Sequence, residues 1–162
     1  MTNLGLEHAL ESMNIPFARA GVGDRFVMEL LKEKDWQIGG ENSGHIICLD
    51  RVTTGDAIVA ALEVLSVVRQ SGEPLAKLRA DMKMYPQVLK NVPLTKKVDI
   101  TENSAINDAV KQAEASLGDS GRILLRASGT EPLIRVMVEG RVANDVERIC
   151  GQVAKTVGDE LG

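Results

Sequence analysis

Two short stretches of this chain combine residue types suited to holding a polar ligand, and each falls between hydrophobic runs that read as β-strands. The first is Arg126-Ala127-Ser128-Gly129-Thr130-Glu131. A phosphate needs several convergent donors and a compensating positive charge. Arg126 and the nearby Arg135 carry forked guanidinium donors, and Ser128 and Thr130 carry hydroxyls. Gly129 lets the backbone bend so that successive N–H groups point into one concavity, an anion-binding nest. Residues 122–141 hold four arginines against Glu131 and Glu139, a local positive excess in a chain of net charge −4. The same composition also suits a plain hairpin loop, because Ser, Gly and Thr favour turns for conformational reasons alone. Spacing by itself leaves both readings open.

The second stretch is Gly39-Gly40-Glu41-Asn42-Ser43-Gly44-His45. Glu41, Asn42 and Ser43 could hydrogen-bond neighbouring sugar hydroxyls, since a carboxylate accepts two bonds and so orients a diol. His45 could exchange a proton near neutral pH. A Gly-rich turn whose Asn and Ser satisfy the backbone is the alternative, and it too stays open. A zinc site is weaker still: His8 and His45 are the only histidines, and no full set of Cys and His ligands accompanies them.

Hydrophobic periodicity supplies the elements that must position these loops. Leu4, Leu6, Ala9, Leu10 and Met13 predict an opening helix, and Ile15 to Ala20 a strand. Asp24 starts a second helix with Phe26, Val27, Leu30 and Leu31 on its buried side. Trp36 to Ile38 reads as a strand broken by Gly39 and Gly40, and His45 to Leu49 as another. Thr53 and Asp56 form a capping-like pair before a helix over about 56–69. That helix is apolar almost all round, which predicts burial on more than one side. Gly72 and Pro74 end it, a short helix follows from Leu75, and Tyr85-Pro86 is extended. A domain boundary is expected between Asp81 and Pro86. Beyond it, a strand begins at Val88 and a helix spans Ser104 to Leu117. Strands lie at Ile123 to Leu125 and Leu133 to Val138, and Asn144 and Glu147 form a capping-like pair at the head of a last helix. This second half is β-α-β-β-α, a small α+β domain.

Composition narrows the function classes. With 44% hydrophobic and 26% charged residues, the 162-residue chain has the profile of an ordinary globular protein. Phe17, Phe26, Trp36 and Tyr85 are its only aromatics. A stacking platform for single-stranded nucleic acid is therefore not expected, and the net negative charge argues against phosphate-backbone binding. The longest apolar stretch, Ala57 to Leu62, is too short to span a bilayer. Glu7 and Glu11 stand where an export leader would be basic or apolar, so a cytoplasmic location is expected, with reduced thiols.

Taken in order, the two loops resemble a pair of binding motifs in the α-D-phosphohexomutase superfamily. Gly40-Glu41-Asn42-Ser43-Gly44-His45 is similar to the family's sugar-binding loop. Arg126-Ala127-Ser128-Gly129-Thr130-Glu131-Pro132-Leu133-Ile134-Arg135-Val136 is similar to its C-terminal phosphate-binding loop. Val22-Gly23-Asp24-Arg25-Phe26-Val27 and Thr53-Thr54-Gly55-Asp56 narrow the resemblance to the bacterial branch acting on a phosphorylated amino sugar. Asn42 fits that branch, where the others often carry methionine.

The resemblance implies a four-domain enzyme that moves a phosphoryl group between sugar positions 6 and 1. A phosphoserine in the first domain and a Mg²⁺ ion held by an Asp-x-Asp-x-Asp loop in the second carry that chemistry. The third domain reads the sugar, and the fourth grips the non-reacting phosphate. On that basis residues 1–82 are a partial third domain, an incomplete α/β/α sandwich with a mixed sheet. Residues 83–162 are the fourth domain, α+β with an antiparallel sheet and helices. Glu41, Asn42, Ser43 and His45 are then the sugar-binding residues, with a proton-transfer role open to His45. Arg126, Ser128, Gly129, Thr130 and Arg135 are the phosphate-binding residues. Neither a Ser-His motif nor an Asp-x-Asp-x-Asp loop occurs in the chain. It is therefore expected to lack phosphoryl transfer alone and to depend on N-terminal domains 1 and 2, which would supply the Mg²⁺ ligands. Another phosphohexomutase branch, or a non-catalytic phosphate-binding module, is the alternative.

Overall fold

The computed structural model describes residues 2–95, 103–128 and 131–162. It divides into two compact units, Met1–Lys83 and Met84–Gly162. Among the described residues they carry six α-helices, one short 3-10 turn and two small antiparallel sheets, so the class is α/β followed by α+β.

The first unit opens with helix α1 (Leu4–Ser12), capped by Asn3, whose side chain accepts from Gly5 N at 2.9 Å. The expected strand at Ile15 to Ala20 is not formed. No partner strand adjoins it among the described residues, and the segment is tied down by side chains. Arg19 donates to Glu7 Oε2 at 2.6 Å and to the carbonyl of Thr2 at 2.8 Å, and it lies over the Phe17 ring.

Helix α2 (Asp24–Lys34) follows, then strands β1 (Ile38–Gly40) and β2 (Ile46–Cys48), which pair antiparallel. Here the sheet is a two-stranded antiparallel hairpin, and no parallel strand completes a mixed sheet among the described residues. Gly39 and Gly40 lie within β1 instead of breaking it. A Cβ at Gly39 would stand 2.6 Å from Val27 Cγ1 and 2.9 Å from Leu31 Cδ1, so glycine is what lets α2 lie against the strand. On α2 only Leu31 is buried. Phe26 is half exposed, with its ring near Gly21 and Gly23.

Helix α3 (Ala57–Ser71) is capped by Asp56, not Thr53. The Asp56 carboxylate accepts from Ile58 N at 2.8 Å and Val59 N at 3.0 Å. Gly72, at φ +69°, ends the helix in the left-handed conformation. The expected burial of α3 on several sides does not occur: only Ala60 is buried, and Ile58, Leu62 and Leu65 are exposed. Apolar content fixes how much a helix gains by being covered. It does not supply the covering layer, and here α3 packs chiefly on the short β2. Helix α4 (Leu75–Leu78) closes the unit.

The second unit is a three-stranded antiparallel sheet backed by two helices. Strands β3 (Gln87–Pro93), β4 (Gly121–Ala127) and β5 (Leu133–Gly140) stand in the order β3-β5-β4. The last strand in sequence is thus central, and it is the most buried. Helix α5 (Ser104–Leu117) is capped by Asn103, which accepts from Ile106 N at 3.0 Å. Helix α6 (Ala143–Leu161) starts after Val142, which makes no side-chain cap, so the Asn144 and Glu147 pair is not used as a box. Val146, Ile149, Cys150, Val153 and Val157 form its buried stripe. They meet Ile106, Ala113 and Leu117 of α5 and one face of the sheet, Val92, Ile134, Val136 and Val138. Strand alternation then commits residues 91, 126 and 135 to the opposite face.

Candidate functional site

The two candidate loops lie in different units, one at the hairpin turn β1–β2 and one at the turn β4–β5. The first turn is closed by Glu41 N donating to the His45 carbonyl at 2.9 Å and Gly44 N donating to the Glu41 carbonyl at 3.0 Å. Gly44, at φ +98°, takes the backbone through a region that side chains rarely adopt. Alternate residues then meet. Ser43 Oγ lies 2.9 Å from Glu41 Oε2 and 3.0 Å from His45 Nδ1. His45 Nδ1 stands 3.8 Å from the same carboxylate oxygen, with half of its side chain exposed. Asn42 is exposed beside them. The result is a small polar cluster rich in acceptors and open to solvent.

Gly55 walls this cluster, and inspection of the loop alone misses it. A Cβ there would stand 3.3 Å from His45 Cδ2. The Thr53-Thr54-Gly55-Asp56 stretch was the available signal, a glycine without a turn assigned to it. Thr54 and Gly55 also line a surface cavity of about 360 Å³ with Asp24, Arg25, Met28, Glu29 and Lys32.

The second loop begins where β4 ends. Ser128 is buried; its N–H donates to the Leu133 carbonyl at 2.9 Å, and its Oγ accepts from Glu131 N at 3.3 Å. Those bonds draw the two ends of the loop together. Gly129 and Thr130 lie outside the described residues. Arg126 and Arg135 are directly opposed across β4 and β5, and Asn91 is opposed to Arg135 across β3 and β5. Asn91, Arg135 and Arg126 thus form one row on the face turned away from the core. Arg126 is exposed. Arg135 is half-buried, and its Nε is fully buried without a hydrogen-bond partner in the structure. Two opposed like charges are unfavourable in a sheet, and a buried donor without an acceptor costs more. Asn91 was not singled out in the sequence, because its place depends on the β3–β5 register.

The other arginines of this region have structural partners. Arg122 pairs with the fully buried Glu139, its cross-strand neighbour, and Arg141 donates to Tyr85 Oη at 2.8 Å. Arg126 and Arg135 are the arginines of this segment left facing each other. Among the described residues, no group of three or more His, Cys, Asp or Glu side chains could hold a metal ion. None of their helices is long and apolar enough to cross a membrane.

This is the architecture of a known family. The α/β/α domain III of phosphoglucomutase/phosphomannomutase matches residues 1–85, and the C-terminal domain of the same family matches residues 89–156. The chain belongs to the phosphoglucomutase/phosphomannomutase family. Within it, the similar curated relatives are named phosphoglucosamine mutase. The protein of Thioalkalivibrio sulfidiphilus is 53% identical over 97% of this chain and 36% of its own length. That of Aeromonas salmonicida is 55% identical over 97% of this chain and 35% of its own. The chain thus spans about a third of the length of these relatives. Among solved structures, Aspergillus fumigatus N-acetylphosphoglucosamine mutase in complex with GlcNAc-6P and magnesium aligns with a TM-score of 0.75. The match is 17% identical and covers 97% of this chain and 37% of that one, which shows the shared fold.

Proposed function

We propose that this chain forms the sugar- and phosphate-binding part of a phosphoglucosamine mutase. That enzyme interconverts glucosamine 6-phosphate and glucosamine 1-phosphate through a phosphoserine and a bisphosphate intermediate. Residues 1–82 act as the sugar-reading domain and residues 83–162 as the phosphate-gripping domain. The observation that carries this reading is the opposed pair Arg126 and Arg135, with the buried unpartnered Nε of Arg135, beside the folded Ser128 turn. A phosphate dianion relieves the repulsion by accepting from the outer N–H groups of both guanidiniums. Ser128, Gly129 and Thr130 complete the grip.

Glu41, Asn42, Ser43 and His45 serve the sugar. A cluster dominated by acceptors suits hydroxyl and ammonium hydrogens, and neighbouring hydroxyls can exchange places on it when the sugar turns around. The phosphate loop tolerates the same inversion, because it reads charge and not ring position. Phosphoryl transfer and Mg²⁺ binding belong to the N-terminal domains of the whole enzyme in the cytoplasm.

Titration of the chain with glucosamine 6-phosphate, followed by amide and guanidinium NMR, tests the reading. Saturable shifts at Arg126, Ser128 and Arg135 are expected for the phosphate loop, and shifts at Ser43 and His45 report separately on the sugar loop. Equal response to glucosamine and to its phosphate would sink the phosphate assignment.

A further inference from the structure

The Ser43 hydroxyl stands between two groups with different capacities. Its Oγ lies 2.9 Å from Glu41 Oε2 and 3.0 Å from His45 Nδ1. An ionised carboxylate only accepts, and a serine hydroxyl has one hydrogen. The hydrogen given to Glu41 is not available to His45. The contact with Nδ1 is then a hydrogen bond only when Nδ1 carries the proton and Ser43 Oγ accepts it. Electrostatics favour the same order, since Nδ1 stands 3.8 Å from Glu41 Oε2. The opposite edge of the ring, at Cδ2, lies against Gly55, where even a methyl group would press on it.

We propose that Ser43 is a positioning residue that, together with Glu41, fixes neutral His45 in the Nδ1–H tautomer and leaves Nε2 as its acceptor. The chain of donors runs from His45 Nδ1–H to Ser43 Oγ, and from Ser43 O–H to Glu41 Oε2. Nε2 therefore presents a lone pair to any ligand of this loop. On the function proposed above, that lone pair receives a hydroxyl or amine hydrogen of the sugar. Only this last clause rests on that reading, because the proton order exists without a sugar.

Long-range ¹H–¹⁵N NMR on the 162-residue chain decides the matter at about pH 9, well above the ordinary histidine range. His8 is the only other histidine and is assigned by His8→Gln. The expected spectrum shows His45 Nδ1 in the protonated, pyrrole-like range and Nε2 in the unprotonated range. Ser43→Ala removes the acceptor and shifts His45 toward Nε2–H, whereas Ser43→Thr keeps a hydroxyl and keeps the order. Glu41→Leu frees the Ser43 hydrogen to point at Nδ1, so the tautomer reverses. A wild-type ring protonated mainly at Nε2, or a Glu41→Leu spectrum unchanged from wild type, overturns the proposal. Resonance shifts at Arg126 and Arg135 on adding glucosamine 6-phosphate report separately on the proposed function.

Discussion

Replacing Arg135 by methionine separates stability from binding in a way that tests the phosphate site directly. In the structure, Arg135 Nε is buried without an acceptor, and Arg126 stands directly opposite. An unsatisfied buried donor costs about 1–3 kcal/mol. A directly opposed like charge adds roughly 0.2–1 kcal/mol. Methionine keeps an unbranched apolar stem of similar reach and removes both costs, at the expense of some guanidinium packing. We expect a net gain of about 1 kcal/mol in phosphate-free buffer, which raises the melting midpoint of a unit of this size by about 4–8 °C. Phosphate at a hundred times its dissociation constant stabilises the native chain by about 2.7 kcal/mol and the variant by far less. The two proteins therefore exchange rank: Arg135→Met melts higher without phosphate, and the native chain melts higher with it. Thermal unfolding by circular dichroism, with ionic strength matched by chloride, reads both effects. A variant that melts lower in phosphate-free buffer refutes the argument that Arg135 is held at a cost. Equal stabilisation of both proteins by phosphate places the anion elsewhere.

Three further outcomes follow from the packing. Burial pushes the Cys150 thiol above its usual value of 9.0, so the folded state favours the protonated form. Stability from this group is full below pH 9.0 and is lost as pH rises through the raised value. Urea titrations should show that alkaline decline, and Cys150→Ala should flatten its slope. Gly39→Val drives a side chain into Val27 and Leu31, so it should destabilise the first unit by about 1–3 kcal/mol of overpacking. Hydrogen exchange should rise across α2, β1 and β2 while the second unit stays protected. Ile58, Leu62 and Leu65 form an exposed apolar stripe on α3, so Leu62→Glu with Leu65→Glu should reduce dye binding and self-association of the isolated chain. Unchanged light scattering and dye fluorescence in that double variant contradict the exposure of this stripe.

Sequence alone determined most of the local elements and the residue types in the two loops. Periodic apolar residues were enough for α2, α3, α5, α6 and the β4–β5 hairpin, because each needs only a face to bury. Order and residue type in the Glu41–His45 and Arg126–Glu131 stretches were enough to suggest sugar and anion ligands. Caps were less legible. Asp56 was preferred to Thr53, and α6 began at Ala143 without the Asn144 box, because competing caps differ by about 1 kcal/mol while packing of the helix decides the register. Ile15 to Ala20 has strand composition, yet a strand exists only where another offers its hydrogen bonds. Gly39 looked like a breaker until α2 was placed against it.

Tertiary structure alone decided which charges are available. Four arginines read alike in the sequence between 122 and 141. The β4–β5 register gave Arg122 to Glu139, the fold gave Arg141 to Tyr85, and Arg126 was set against Arg135. The same register brought Asn91 into their row. Cross-strand pairing joins residues far apart in the chain, and a slip of one residue would turn each of them to the other face. The residue types suited to a phosphate are thus written locally, whereas the opposition of Arg126 and Arg135 arises only when the strands pair.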